Sequence, residues 1–195
     1  MVTTHDIKQL RERTGVGVLE CRKALREAQD DPDRALKALR AQGATVTEKR
    51  ADRATDEGYV ATYDHGGRIG VVVEMRCETD FVSENRRFRK LVHEVALQVA
   101  AQKPRWIARQ DVPAELTDRL VAEERALAAE MGKTEPVIER IVAGKLERFY
   151  RDNCLLEQPY IRNDEETIDN LLQESIVAFD EKLFVHRFVR VELGE

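Results

Sequence analysis

Residues 68–77 read "RIGVVVEMRC", and the period of this run decides the fold. From Ile69 every second residue through Val71, Val73 and Met75 to Cys77 is apolar, while Glu74 and Arg76 fall on the other side. Such alternation belongs to a strand with one buried face. Upstream, "GYVATYD" (58–64) is joined to it by His65-Gly66-Gly67, which predicts a hairpin turn that needs no ligand to explain its glycines. Downstream, "KLFVHRFVRVEL" (182–193) predicts a third strand with Val185, Val189, Val191 and Leu193 on one face. Helical patterns fill the interval. "ENRRFRKLVHEVALQVAAQ" (84–102) has Phe88, Leu91/Val92, Val95 and Val99 on one stripe, and "PAELTDRLVAEERALAAEM" (113–131) has Leu116, Leu120, Leu127 and Met131 on another. "PVIERIVAGKLERFY" (136–150) and "TIDNLLQESI" (167–176) supply two more, the latter with Asp164-Glu165-Glu166 read as a helix N-terminus favoured by the macrodipole. Strands at both ends of a helical run predict an α+β fold, a three-stranded antiparallel sheet packed with helices.

The first 43 residues read differently, as three helices. Thr3 and Asp6 have capping-box spacing, and Ile7 and Leu10 share a face. "RTGVG" (13–17) breaks the chain before a second stripe of Val18, Cys21, Leu25 and Ala28. For the third helix Asp31 is the expected N-cap, Pro32 the first helical residue and Gly43 the terminator, with Ala35, Leu36 and Leu39 facing inward. The polar stretch 44–57, "ATVTEKRADRATDE", predicts a linker with some helix. The expected domains are therefore 1–43, a docking-sized module near the lower limit for independent folding, and 58–195, the α+β core.

Composition narrows function. With 32 Lys and Arg against 37 Asp and Glu, the chain lacks the basic footprint of a dedicated nucleic-acid binder. Residues 1–50 carry +3 and the remainder −8, two segments with different surfaces. Cys21, Cys77 and Cys154 are odd in number and widely spaced, which predicts reduced thiols and argues against zinc. No apolar h-region or long apolar run is present, so no membrane is expected, and the location is the cytoplasm or an organelle interior.

Enzymatic motifs are missing from the pattern. His5, His65, His93 and His186 sit in four different elements, and no phosphate loop, nucleophile elbow or metalloprotease signature occurs. Cys21 and Cys77 fall on apolar faces as small hydrophobes. Cys154 reads as the candidate for a solvent-facing thiol, with no cation near in sequence to activate it.

"CETDFVSEN" (77–85) is harder to place, because it sets Phe81 and Val82 among charged and polar residues between a strand and a helix. A hydrophobic staple would explain them. If Ser83 caps, Val82 faces Arg87; if Asp80 caps, Thr79 faces Glu84. Neither is an apolar pair. The residues alone leave two readings open: a core contact by another route, or an apolar tip aimed at another molecule.

Five segments in order resemble the translation elongation factor Ts family: "LRERTGVGVLECRKAL" (10–25), "CETDFV" (77–82), "QVAAQKP" (98–104), "GKLERFY" with "LLEQPYI" (144–161), and "RFVRVELGE" (187–195). The resemblance implies a ubiquitin-associated-like fold for the N-terminal helices. It also implies a non-enzymatic exchange factor, without cofactor or metal of its own, that binds elongation factor Tu and speeds GDP release. Carried over, Phe81 is an apolar wedge near the partner's magnesium site, Asp80 its polar companion, and Thr79 and Val82 complete the tip. The docking helices would use Arg11, Val18 and Leu19, the two apolar positions differing in type from familiar members. Many members place a His where this chain has Gln98, the phosphate-side candidate. The length matches the short, single-core form, for which a homodimer is expected, its interface made by edge strands and exposed apolar helix faces. Two rival readings are a ubiquitin-associated-like adaptor on an inert scaffold and a thiol enzyme using Cys154.

Overall fold

The computed structural model describes residues 2–195. Its elements run α1 (Thr4–Thr14), α2 (Val18–Glu27), α3 (Pro32–Lys49), β1 (Glu57–His65), β2 (Ile69–Cys77), α4 (Asp80–Ser83) and α5 (Arg86–Gln102). There follow α6 (Ala114–Glu130), α7 (Glu135–Asn153), β3 (Pro159–Tyr160), β4 (Asn163–Thr167), α8 (Ile168–Phe179) and β5 (Phe184–Glu192). Two compact units divide the chain: one runs through Ala100 and resumes over Ile168–Glu195, and the other is Ala101–Thr167.

In the first unit the expected antiparallel sheet forms in the order β1-β2-β5. β1 and β2 pair without interruption from Glu57↔Cys77 to His65↔Ile69. Gly66 and Gly67 turn the hairpin at φ of 60° and 69°, a region that L side chains rarely enter. Val71, Val73, Met75 and Cys77 are buried, as the alternation predicted. Over this inner face lies α5, with Phe88, Val92, Val95 and Val99 buried. His93 meets the Tyr59 ring edge-on, and Arg190 donates to the Ala100 carbonyl at 3.4 Å.

β5 departs from the simple alternation. Glu74 pairs with Arg187 but Met75 with Val185, so His186 is an extra residue that reverses the parity of the strand. Val185 points inward, whereas Val189 and Val191 share the outer face with Val72, and Leu193 beyond the strand is exposed too. The expectation of one common face fails because a single bulged residue flips everything after it.

α1, α2 and α3 form around Leu10, Val16, Cys21, Leu25, Leu36 and Leu39. The caps stand as the pattern predicts: Thr3 and Asp6 make a reciprocal box, and the Asp31 side chain accepts from Asp33 and Arg34 N–H with Pro32 in the first turn. Val18 leaves the α2 stripe and is exposed, Val16 taking the core position. Gly43 is not a terminator. It lies inside α3, which continues six residues to Lys49 through the expected linker. A Cβ at Gly43 would come within 2.5 Å of the Gln173 carbonyl on α8, so close helix approach, rather than helix ending, requires the glycine. Nearby, buried Glu174 on α8 pairs with Arg40 at 2.7 Å, and Val177 joins the three-helix core.

In the second unit α6 and α7 make a helical hairpin around Ala128, Ile138 and Val142. Leu127 and Met131, expected on the packed stripe, are exposed. Asp164–Glu166 belong to β4, paired with β3, instead of opening a helix. Arg109 reaches Glu147 and Glu157 and stacks on Tyr150.

Candidate functional site

The strand-to-helix turn after β2 separates the two apolar residues of "TDFV". Phe81 is 79% exposed. α4 is a single helical turn, and its N-cap is Thr79, neither Asp80 nor Ser83: the Thr79 side chain accepts from the Val82 N–H at 3.4 Å. With that register the turn exposes Asp80 and Phe81 while sending Val82, at 2% exposure, into the core. The four tip residues therefore divide: Asp80 and Phe81 face out, Thr79 shapes the turn, and Val82 roots it.

Such a short helix has little stability of its own. Its mount is polar and non-local. Glu78, just before the cap, is held by Arg50 at 3.0 Å, by Arg53 at 2.9 Å, and by the Lys182 N–H at 2.8 Å. Arg50 also reaches Asp180 at 2.7 Å. Glu181 takes the Glu78 N–H at 3.1 Å, the Thr79 N–H at 3.2 Å and the Thr79 hydroxyl at 2.6 Å. Behind the turn, Arg89 donates to the Ser83 carbonyl at 3.0 Å, and the Cys77 thiol donates to the Thr79 carbonyl at 3.2 Å. Desolvation pushes the Glu78 pKa up, but the Lys182 N–H, Arg53 and Arg50 outweigh it and the net shift is downward. Burial, with the Glu181 charge adding, pushes the Cys77 thiol up to about 11.

Arg11, Val18 and Leu19 are all exposed, Val18 and Leu19 at 48% and 64%. Arg11 lines a groove with Lys8, Glu12, Gly15 and Arg87. Arg87, in the first turn of α5, donates to the Gly15 carbonyl at 2.7 Å and so ties the end of α1 to the helix that follows the tip. Gln98 is fully buried on α5. Cys154 is buried as well, and its desolvation pushes the thiol up to about 11, the opposite of what a nucleophile needs.

A family profile described as Elongation factor TS matches residues 22–195. The chain belongs to the elongation factor Ts family. Curated relatives named elongation factor Ts include those of Moorella thermoacetica, 49% identical across all of this chain and 97% of its own length, and Caldanaerobacter subterraneus, 46% identical across all of this chain and 98% of its own. That of Thermoanaerobacter pseudethanolicus is 45% identical over all of this chain and 96% of its own. Membership makes the chain a translation elongation factor. Among the described residues no helix is long and apolar enough to cross a membrane, and no group of three potential metal ligands occurs.

The sequence pattern marked the Phe81 turn as hard to place but showed nothing of its mount. Glu78 adjoins the tip, and its acidity alone gave no sign that it is a bracket. Glu181 lies 102 residues beyond Thr79, and no local pattern connects the two.

Proposed function

We propose that the chain is a guanine-nucleotide exchange factor that binds elongation factor Tu and promotes GDP release through the tip at Thr79–Val82. The observation that carries this reading is Phe81, a large apolar ring left almost fully in water on a braced turn. An aromatic anchor that is already ordered loses little entropy on insertion. Asp80 beside it brings a negative charge toward the partner's magnesium and phosphate region, where the metal and loop amides carry much of the nucleotide affinity. Val82 acts from below as the root of the wedge. Arg11, Val18 and Leu19 are the docking surface of the N-terminal helices. Gln98, the phosphate-side candidate, is fully buried on α5 and would act from within it.

The energetic demand is definite. A partner that holds GDP at nanomolar affinity has about 12 kcal/mol of binding free energy. Speeding release ~1000-fold lowers the barrier by about 4 kcal/mol. The factor must then prefer the nucleotide-free partner, and GDP weakens the factor's hold by the same ratio. Release of a fluorescent GDP from elongation factor Tu tests this: the chain accelerates it and Phe81→Ala does so about 100-fold less, whereas equal acceleration by both would remove the reading. The adaptor alternative predicts that residues 1–43 alone bind the partner and that Phe81→Ala is neutral.

The outer face of the sheet, where Val60, Val72, Val189 and Val191 are exposed together, is the surface for a second copy in a homodimer. From the sequence alone, edge strands and exposed apolar helix faces are the expected interface. Sedimentation should show a dimer that Val189→Glu converts to monomer; a wild-type monomer with full activity would contradict the assignment.

A further inference from the structure

We propose that Glu181, in the turn between α8 and β5, is the positioning residue that sets the presentation of Phe81. The inference rests on the exchange reading and deepens it. Glu181 spends both carboxylate oxygens on the residues immediately before α4: Oε2 accepts from the Glu78 and Thr79 N–H groups, and Oε1 accepts from the Thr79 hydroxyl. That last bond, at 2.6 Å, fixes the rotamer of the side chain that caps α4. The Thr79 oxygen reaches the Val82 N–H only at 3.4 Å, so the cap alone is weak and its orientation depends on Glu181.

The lock is reciprocal. Glu181 from one turn binds the backbone of the other, and Glu78 from that other turn accepts from the Lys182 N–H. Two turns joined in both directions cannot shift independently. The α8–β5 turn also adopts an uncommon backbone: Asp180 sits at φ 51°, a region that non-glycine residues seldom occupy, and its carboxylate is held by Arg50. Lys182 Nζ adds a bond to the Ala51 carbonyl at 2.7 Å. Glu181 is therefore presented by a turn pinned on both sides, and it aims its charge at three donors that no other side chain in this network takes up. Removing it leaves the turn before Phe81 with two free N–H groups and a free cap hydroxyl, so the ring samples several directions.

GDP release from elongation factor Tu is measured against factor concentration for wild type, Glu181→Ala, Glu181→Gln, Phe81→Ala and the two pairs Phe81→Ala/Glu181→Ala and Phe81→Ala/Glu181→Gln. Glu181→Ala should lower the maximal release rate by about tenfold while leaving the half-saturating concentration within about twofold, since misplacement of a reacting group acts on the bound state. Glu181→Gln, which keeps one acceptor oxygen, should fall between. In the Phe81→Ala background Glu181→Ala should change the maximal rate by less than about twofold, because a residue that acts through Phe81 has nothing left to position. A wild-type rate for Glu181→Ala, a change confined to the half-saturating concentration, or an undiminished loss in the Phe81→Ala background overturns the proposal while the exchange reading stands. A wild-type rate for Phe81→Ala overturns both. If Glu181→Ala does not fold, the Glu181→Gln arm in the two backgrounds decides by the same criteria.

Discussion

Phe81 at the tip and Met131 at the turn of the α6–α7 hairpin are 79% and 69% exposed, yet they are mounted in different ways. The Met131 turn closes by local backbone bonds, Gly132 N–H to the Ala129 carbonyl and Lys133 N–H to the Ala128 carbonyl. Arg125, which pairs with Glu135 and Glu139 across the hairpin, adds exposed ion pairs of small worth. The Phe81 turn is held by groups more than a hundred positions away, Glu181 and Lys182, and by Arg50 and Arg53 at the end of α3. Exposure alone does not distinguish a wedge from a surface side chain. A fixed direction does, and only long-range anchoring supplies it.

The contrast can be broken from the hairpin side first. Ile138→Ala removes the largest buried residue of a small apolar cluster and should cost about 3 kcal/mol. Amide exchange should rise throughout α6 and α7 and stay unchanged at Thr79 and Val82. Equal loss of protection at both places would mean that the two regions open as one unit. A smaller effect reads the tip by pH. The Glu78 carboxyl has its pKa lowered below 4.5 despite a desolvation that works upward, because Lys182 N–H, Arg53 and Arg50 prevail. Its stabilisation is therefore complete above the ordinary carboxylate range and is lost as pH falls through the lowered folded value. Lys182 N–H protection, corrected for intrinsic exchange, should hold through the ordinary carboxylate range and fall only as pH drops below it. Glu78→Gln should show no such step; its persistence there would assign the titration to another group.

Much of this architecture was legible because it is written locally. The alternation in "RIGVVVEMRC", the Thr3–Asp6 box, Asp31-Pro32 and the glycine hairpin each fix a short segment by backbone and side-chain preferences within a few residues. What escaped depends on a partner that the sequence does not announce. Gly43 reads as a stop until Gln173 is seen against it. Val189 and Val191 read as core until the extra residue at His186 turns them outward. Leu127 and Met131 fall on a helical stripe, but the α6–α7 contact is made by Ala128. At the site, the failure of the staple pairing left room for an exposed Phe81, and the resemblance named the tip. The inward turn of Val82 followed only once Thr79 was established as the cap.

On the proposed exchange reading, a ring held in one direction by its own subunit separates GDP from the partner. The most direct test is the maximal rate of fluorescent GDP release from elongation factor Tu at saturating factor, compared for wild type, Phe81→Ala and Met131→Ala. Phe81→Ala should fall about 100-fold, roughly 2.7 kcal/mol of barrier, while Met131→Ala stays within about twofold of wild type. Parallel behaviour of the two variants, either both unimpaired or both equally slow, would contradict it.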